Sequence, residues 1–255
     1  KLKDAKVWKE KKNKKNPDRT TYTAKIPFEE DGEYTWDFSF KDRAGNKAAK
    51  VSTQKFVIDR TEPVITISYD NDNAQNSFYY KKHRTATIVI DERNFEESRI
   101  KINGRGQNDG KSVPFPPVSE WSKNGNTYTA TISYTQDAEY TFEINYTDKA
   151  GNKAFALPEE TFVIDKTIPE IEITEVEDKS ANKGKVAPVI TYRDVNMNTS
   201  TVHLSLSGCR RGKIDNIEIL GEQEDIKNGG RFTFHDFEKK KEIDDIYTLT
   251  ASVED

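Results

Sequence analysis

The chain has 255 residues, 33% of them charged, yet 40 basic and 44 acidic side chains leave a net charge of only −4. That balance argues against a dedicated nucleic-acid binder, whose domain is normally distinctly basic, and no run of eighteen apolar residues is present to span a membrane. Cys209 is the single cysteine, which excludes an internal disulfide framework.

The opening stretch KLKDAKVWKEKKNKKN holds eight lysines in its first fifteen residues. It reads as a solvated loop insertion, of a kind that anionic polymer or phospholipid would also attract. YTAKIPF (22–28) alternates apolar and polar residues, and so does YTWDFSF (34–40), where Tyr34, Trp36, Phe38 and Phe40 share one face. A period of two marks half-buried strands. Asp31 precedes the strand-opening Tyr34 by three, the spacing of a tyrosine corner, in which the phenol bonds back to corner backbone. DRAGN (42–46) then supplies an Asp to accept backbone N–H bonds and a Gly able to take positive φ. It is expected to be a hairpin turn rather than a site, with the strand leading to FVID returning antiparallel.

The same text returns further on. Asp148 of DKAGN follows Asp42 of DRAGN by 106 positions (148 − 42), and Tyr140, Phe162, Asp165 and Pro169 stand at the same offset from Tyr34, Phe56, Asp59 and Pro63. A third copy starts at DDIYTLTASVED (244–255). A period near one hundred is the size of a small domain, too long for a solenoid unit. The middle unit runs through PVITISY (63–69), RTATIVID (84–91), SRIKING (98–104), a loop-rich GRGQNDGKSVPFPP, YTATISY (128–134) and YTFEINY (140–146) before its FVID. Regularly spaced short strands with turn signals between them indicate an antiparallel sandwich. PEIEITE and PVITYRDVNM (188–197) open the third unit in a looser version of the same order. The expected division is 1–60, a partial domain with C-terminal strands only; 61–166, a complete domain; and 167–255, a domain lacking its last strand. A chain that begins and ends inside repeats is expected to be part of a longer one.

The frame D-x-x-Y-T…D-x-A-G-N…F-x-I-D-x-T-x-P resembles the bacterial immunoglobulin-like repeats of long surface and secreted proteins. The resemblance implies an all-β fold, tandem Ig-like antiparallel sandwiches set end to end, in a stalk, spacer or adhesion region that is extracellular, at the cell surface or secreted. It implies no reaction and no cofactor. The partner it implies is a host or cell-surface ligand, protein or glycan, and the chain is expected to be monomeric within its longer parent. Two alternatives stand beside it: an accessory region of a large secreted glycan-degrading enzyme, and a carbohydrate-binding module. The latter would need exposed aromatics, for which Tyr79, Tyr80 and Trp121 are the residues to test.

Candidate sites are few. Only RTEP and KTIP separate one unit's return strand from the next unit's first strand, and a four-residue joint with a φ-locked Pro is expected to bend little. Similar repeats in some adhesins hold calcium at such joints, where Asp59 and Asp165, with Glu62 or Glu170, offer oxygen ligands. DNDNAQN (70–76) begins like a calcium loop but has Gln75 where Gly and Lys81 where a bidentate Glu are required. The expectation for these positions is no bound metal. Cys209 and GCRRGK (208–213) read as solvated loop, and His83, His203 and His235 lie in no catalytic motif. An internal Lys–Asn cross-link, known in some related modules, would act like a disulfide staple.

Overall fold

Among the described residues every regular element is a strand, apart from single 3-10 turns at Glu97–Arg99 and Thr199–Thr201. The structure, a computed structural model, describes residues 8–12, 14–16, 20–183, 186–214, 221–235 and 245–254. β1 (Trp8–Lys12) pairs antiparallel with β2 (Thr20–Ala24), and β3 (Gly32–Trp36) with β4 (Gln54–Ile58). Part of the lysine-rich opening is therefore a strand, with Trp8 opposite Ala24 and Lys12 opposite Thr20, and not the loop expected from its charge. Ladder bonds are made by backbone, so an exposed edge tolerates lysine well. The strand expected over 34–40 stops at Trp36. Phe38 and Phe40 are exposed, because two two-stranded sheets offer no second layer broad enough to cover them.

Residues 64–164 carry the same alternation into a full sandwich. One sheet orders β10 (Ser122–Asn124), β11 (Thr127–Tyr134), β7 (Arg84–Asp91) and β5 (Val64–Tyr69). The other orders β6 (Tyr79–Tyr80), β13 (Glu160–Ile164), β12 (Ala138–Asn145), β8 (Lys101–Asn108) and β9 (Lys111–Val113). All pairs are antiparallel except β6 with β13. Ala86, Ile88 and Ile90 of β7 and Ile132 and Tyr134 of β11 meet Tyr140, Phe142 and Ile144 of β12 in one core. Each such large side chain contributes roughly 1.5–3 kcal/mol on burial, and a one-residue slip of β12 would turn its whole set to solvent.

The stretch read as loop-rich is a hairpin. β8 continues through Gly104 and Gly106 and turns at Asp109 (φ 49°) and Gly110 (φ 73°) into β9. Two left-handed residues reading Asp-Gly are the tight turn whose twist suits a hairpin. Gly104 is in the strand because a ring passes over it, and a Cβ there would lie 2.3 Å from Phe115 Cε2.

At the start of β7, buried Arg84 bonds Asn71 O at 2.8 Å and Asp72 Oδ1 at 3.0 Å, with its guanidinium 3.5 Å from the Tyr69 ring centroid. Asp72 of DNDNAQN thus answers an arginine.

The third region orders β14 (Glu170–Thr174), β15 (Val189–Arg193), β19 (Gly229–Phe234) and β18 (Gly221–Ile226) in one sheet. β17 (Gly212–Ile214), β16 (His203–Gly208) and β20 (Tyr247–Ser252) form the facing one. Ile190, Leu206, Phe232 and Phe234 make a second, smaller core, against which Tyr247 and Leu249 are half-buried. GCRRGK is the corner between β16 and β17, with Cys209 exposed.

Candidate functional site at the joints between repeats

The expected tyrosine corners form. Tyr34 donates its hydroxyl to Glu30 O at 2.8 Å and Tyr140 to Gln136 O at 3.1 Å. Each corner also holds the joint that follows. Asp31 accepts from the Arg60 backbone N–H (3.1 Å), its Nε (2.8 Å) and the Thr61 hydroxyl (3.2 Å). Asp137 accepts from the Lys166 backbone N–H (3.1 Å) and the Thr167 hydroxyl (2.7 Å), with the Lys166 ammonium 3.1 Å away. The Arg60 side-chain bond holds the Asp31 carboxyl below its usual range. Burial pushes Asp137 up, but the bonds from Thr167 and Lys166 outweigh it and leave the carboxyl lowered.

Past each corner the chain exits through an aspartate that grips the following repeat. Asp59 Oδ1 accepts from Thr61 N–H at 3.1 Å and Oδ2 from the Asn94 amide; Asp165 Oδ1 accepts from Thr167 N–H at 3.1 Å and Oδ2 from the Asn196 amide at 2.7 Å. Asn94 N–H donates to Glu92 Oε1 (2.5 Å) and Asn196 N–H to Asp194 Oδ1 (2.9 Å). The sequences Glu-Arg-Asn (92–94) and Asp-Val-Asn (194–196) carry this acid-x-Asn pattern.

At the first joint the AGN turn adds a third acid. Asp148 Oδ1 accepts from Gly151 N–H (2.7 Å) and Asn152 N–H (2.8 Å), and Oδ2 from the Asn152 amide (2.8 Å), with Gly151 at φ 99°. The Asn152 amide also donates to Asp59 O at 3.1 Å. The motif is therefore a turn, as expected, and in this copy it also joins the site. Asp59, Glu92 and Asp148 bring carboxylate oxygens within 4.8 Å of one another, with Glu92 and Asp148 buried. Burial, and then the charges of Asp59 and Asp148, push the Glu92 carboxyl up.

Three carboxylates fit a hard divalent cation in donor type and charge, and Asp59, Glu92 and Asp148 are the residues that would hold one. Among the described residues, however, five of their six oxygens already accept protein N–H bonds, Glu92 Oε2 being the exception. Of the candidates named from sequence, Asp59 lies in this cluster and Asp165 beside Asp194 at the second joint. Glu62 is exposed outside the cluster, and Glu170 pairs with Arg193 at 2.8 Å on a sheet edge. The repeat places Asp255 where Asp148 stands, outside the described residues.

The second joint has a further brace. Asp109, at the tip of the β8–β9 hairpin, accepts from Lys227 Nζ at 2.6 Å and the Asn228 amide at 3.2 Å, and these bonds hold its carboxyl low. The signal was Asn-Asp-Gly at 108–110, read from sequence as loop. Tyr79 and Tyr80 lie near this joint, while Trp121 packs on Phe95 with ring centroids 5.5 Å apart. No lysine is among the buried described residues.

Residues 18–119 match the family model described as bacterial Ig-like domain (group 3), and residues 119–166 match a second, described as bacterial Ig-like domain. No curated protein matches. Among solved structures the chain is similar to FdeC, an Escherichia coli adhesin, at 14% identity and a TM-score of 0.35, covering 75% of this chain. It is also similar to the I-band fragment I67–I69 of titin, at 12% identity and a TM-score of 0.27, again over 75% of this chain. It spans 62% and 61% of those two chains.

Proposed function

The chain belongs, over residues 18–166, to the bacterial Ig-like domain family, and from that premise we propose that it is a non-enzymatic stalk or adhesion region of a bacterial cell-surface protein. Its units, a partial one at 1–60, a complete one at 61–166 and one lacking its last strand at 167–255, act as successive modules that hold a distal ligand-binding part away from the envelope. One observation carries the reading: the two joints repeat one hydrogen-bond design, from corner aspartate to joint threonine and from exit aspartate to the next loop's asparagine. A spacer needs joints that resist bending, and side-chain bonds repeated across each joint supply that better than a bare four-residue linker.

Small-angle scattering tests it. An eight-residue strand spans about 26 Å, so a unit with its loops is about 35 Å long, and about two and a half units in line give a radius of gyration of about 27 Å. A compact globule of this length would give about 18 Å. A value near the lower figure would refute the spacer. Substituting Lys227→Ala together with Asn196→Ala is expected to broaden the distance distribution without lowering either unit's melting point.

A further inference from the structure

A cleft of 240 Å³ opens at the second joint, between the loop that precedes β6 and the loop that follows β15. Gln75, Asn76, Tyr79 and Lys81 line it from one repeat, Met197 and Asn198 from the next. Asp165 and Asn196, also at the cleft, are bonded to each other at 2.7 Å. The remaining polar groups are differently placed. Asn198 gives Oδ1 to Ser200 N–H and Oγ, at 3.2 and 2.6 Å, and its Nδ2 has no partner among the described residues. Asn76 uses only its backbone carbonyl, toward Phe78 and Tyr79 N–H, which leaves its side-chain amide open. Lys81 makes no ion pair among the described residues. Tyr79 stacks on Phe78 with centroids 4.8 Å apart and planes 26° apart, which stiffens the ring beside these amides.

Open amides present donors and acceptors side by side, the pattern that matches neighbouring hydroxyls. A ring and a thioether next to them suit an apolar C–H face. A phosphate would call for more cation than one lysine beside a carboxylate, and an extended peptide would call for a free strand edge. We propose that this cleft binds a saccharide, one pyranose ring resting against Tyr79 and Met197 with its hydroxyls bonded by Asn76 and Asn198. The volume lies below the roughly 300–1,000 Å³ of sites for larger ligands, which restricts the enclosed part to a single sugar residue. Because both repeats line the cleft, the site exists only while the second joint is closed. It goes beyond the spacer role and does not require it.

The test is a ¹⁵N–¹H correlation titration of the intact chain with glucose, galactose, N-acetylglucosamine and glucuronic acid. At least one of them is expected to shift amides of residues 75–81 and 196–198 together. Asn198→Asp keeps the Oδ1 bonds to Ser200 and removes the amide donor; it is expected to weaken binding by about tenfold, the loss of one good hydrogen bond, at an unchanged melting temperature. Asn76→Ala is expected to do the same. The proposal is overturned if no sugar in the panel shifts these amides, if the shifts centre elsewhere, or if both variants bind as the parent does. An elongated particle that bound no sugar would leave the spacer reading intact, and a compact one that bound sugar would leave this proposal intact.

Discussion

Glu92→Gln is expected to stabilise the protein at neutral pH, against the usual direction for a buried substitution. Glu92 is 4% exposed, and oxygens of Asp59 and Asp148 lie within 4.8 Å of its own. At that separation each pair of unit charges repels by about 3.5 kcal/mol for an effective dielectric constant of 20. Protein N–H bonds to the three carboxylates offset most of this, and the glutamine keeps the oxygen that accepts from Asn94 while offering an amide to the two aspartates. The expected net gain is about 1–2 kcal/mol, a rise in melting temperature of about 4–10 °C for the middle repeat. The sign of the pH dependence follows from the raised carboxyl. The folded protein keeps the Glu92 proton at pH values where the unfolded chain, near the ordinary 4.5, has released it. Stability from this group is thus highest below that value, falls as pH rises toward the raised folded value, and stays low above it. The variant lacks the fall, so the difference between the two proteins grows with pH through that window and then levels. Thermal unfolding by circular dichroism in EDTA-containing buffer, from about pH 4 to pH 8, reads both quantities. A variant that melts below the parent at neutral pH, or a difference that does not change with pH, would refute the account of the cluster as mutually repelling carboxylates.

Tyr140→Phe removes a buried corner bond and is expected to cost about 1 kcal/mol, measured as a lower urea midpoint at unchanged slope; Tyr34→Phe, in the thinner first region, is expected to cost less. Arg84→Lys replaces a planar cation lying on Tyr69 with a point charge that cannot keep both the Asn71 and Asp72 bonds, at a cost of about 2–4 kcal/mol. A urea midpoint equal to the parent's would show that the guanidinium geometry contributes nothing.

Much of the sandwich was legible from side-chain alternation. RTATIVID became β7 residue for residue, YTATISY became most of β11, and the two corner tyrosines bonded where their spacing to Asp31 and Asp137 required. The departures share a cause, since residue composition does not report backbone geometry. Lysines suggested loop where β1 pairs, and Gly104, Gly106 and Gly110 suggested loop where a strand passes close beneath Phe115 and then turns. YTWDFSF shows the converse, a strand pattern that ends early because no facing layer covers Phe38 and Phe40.

The joint site was legible only in pieces. Asp59 stood out because it repeats at Asp165, and the AGN turn because it repeats whole, but nothing local linked either to Glu92. Those three acids come from the joint just after β4, a loop after β7 and a turn after β12, brought together when the first region meets the end of the sandwich. A linear text can specify which face of a strand is apolar, since that depends on neighbours two residues apart, and so strand identity and repeat length were determined by the sequence itself. Which carboxylates share one buried space, and which asparagines answer them, depends on distances across the sandwich that only the packed chain defines.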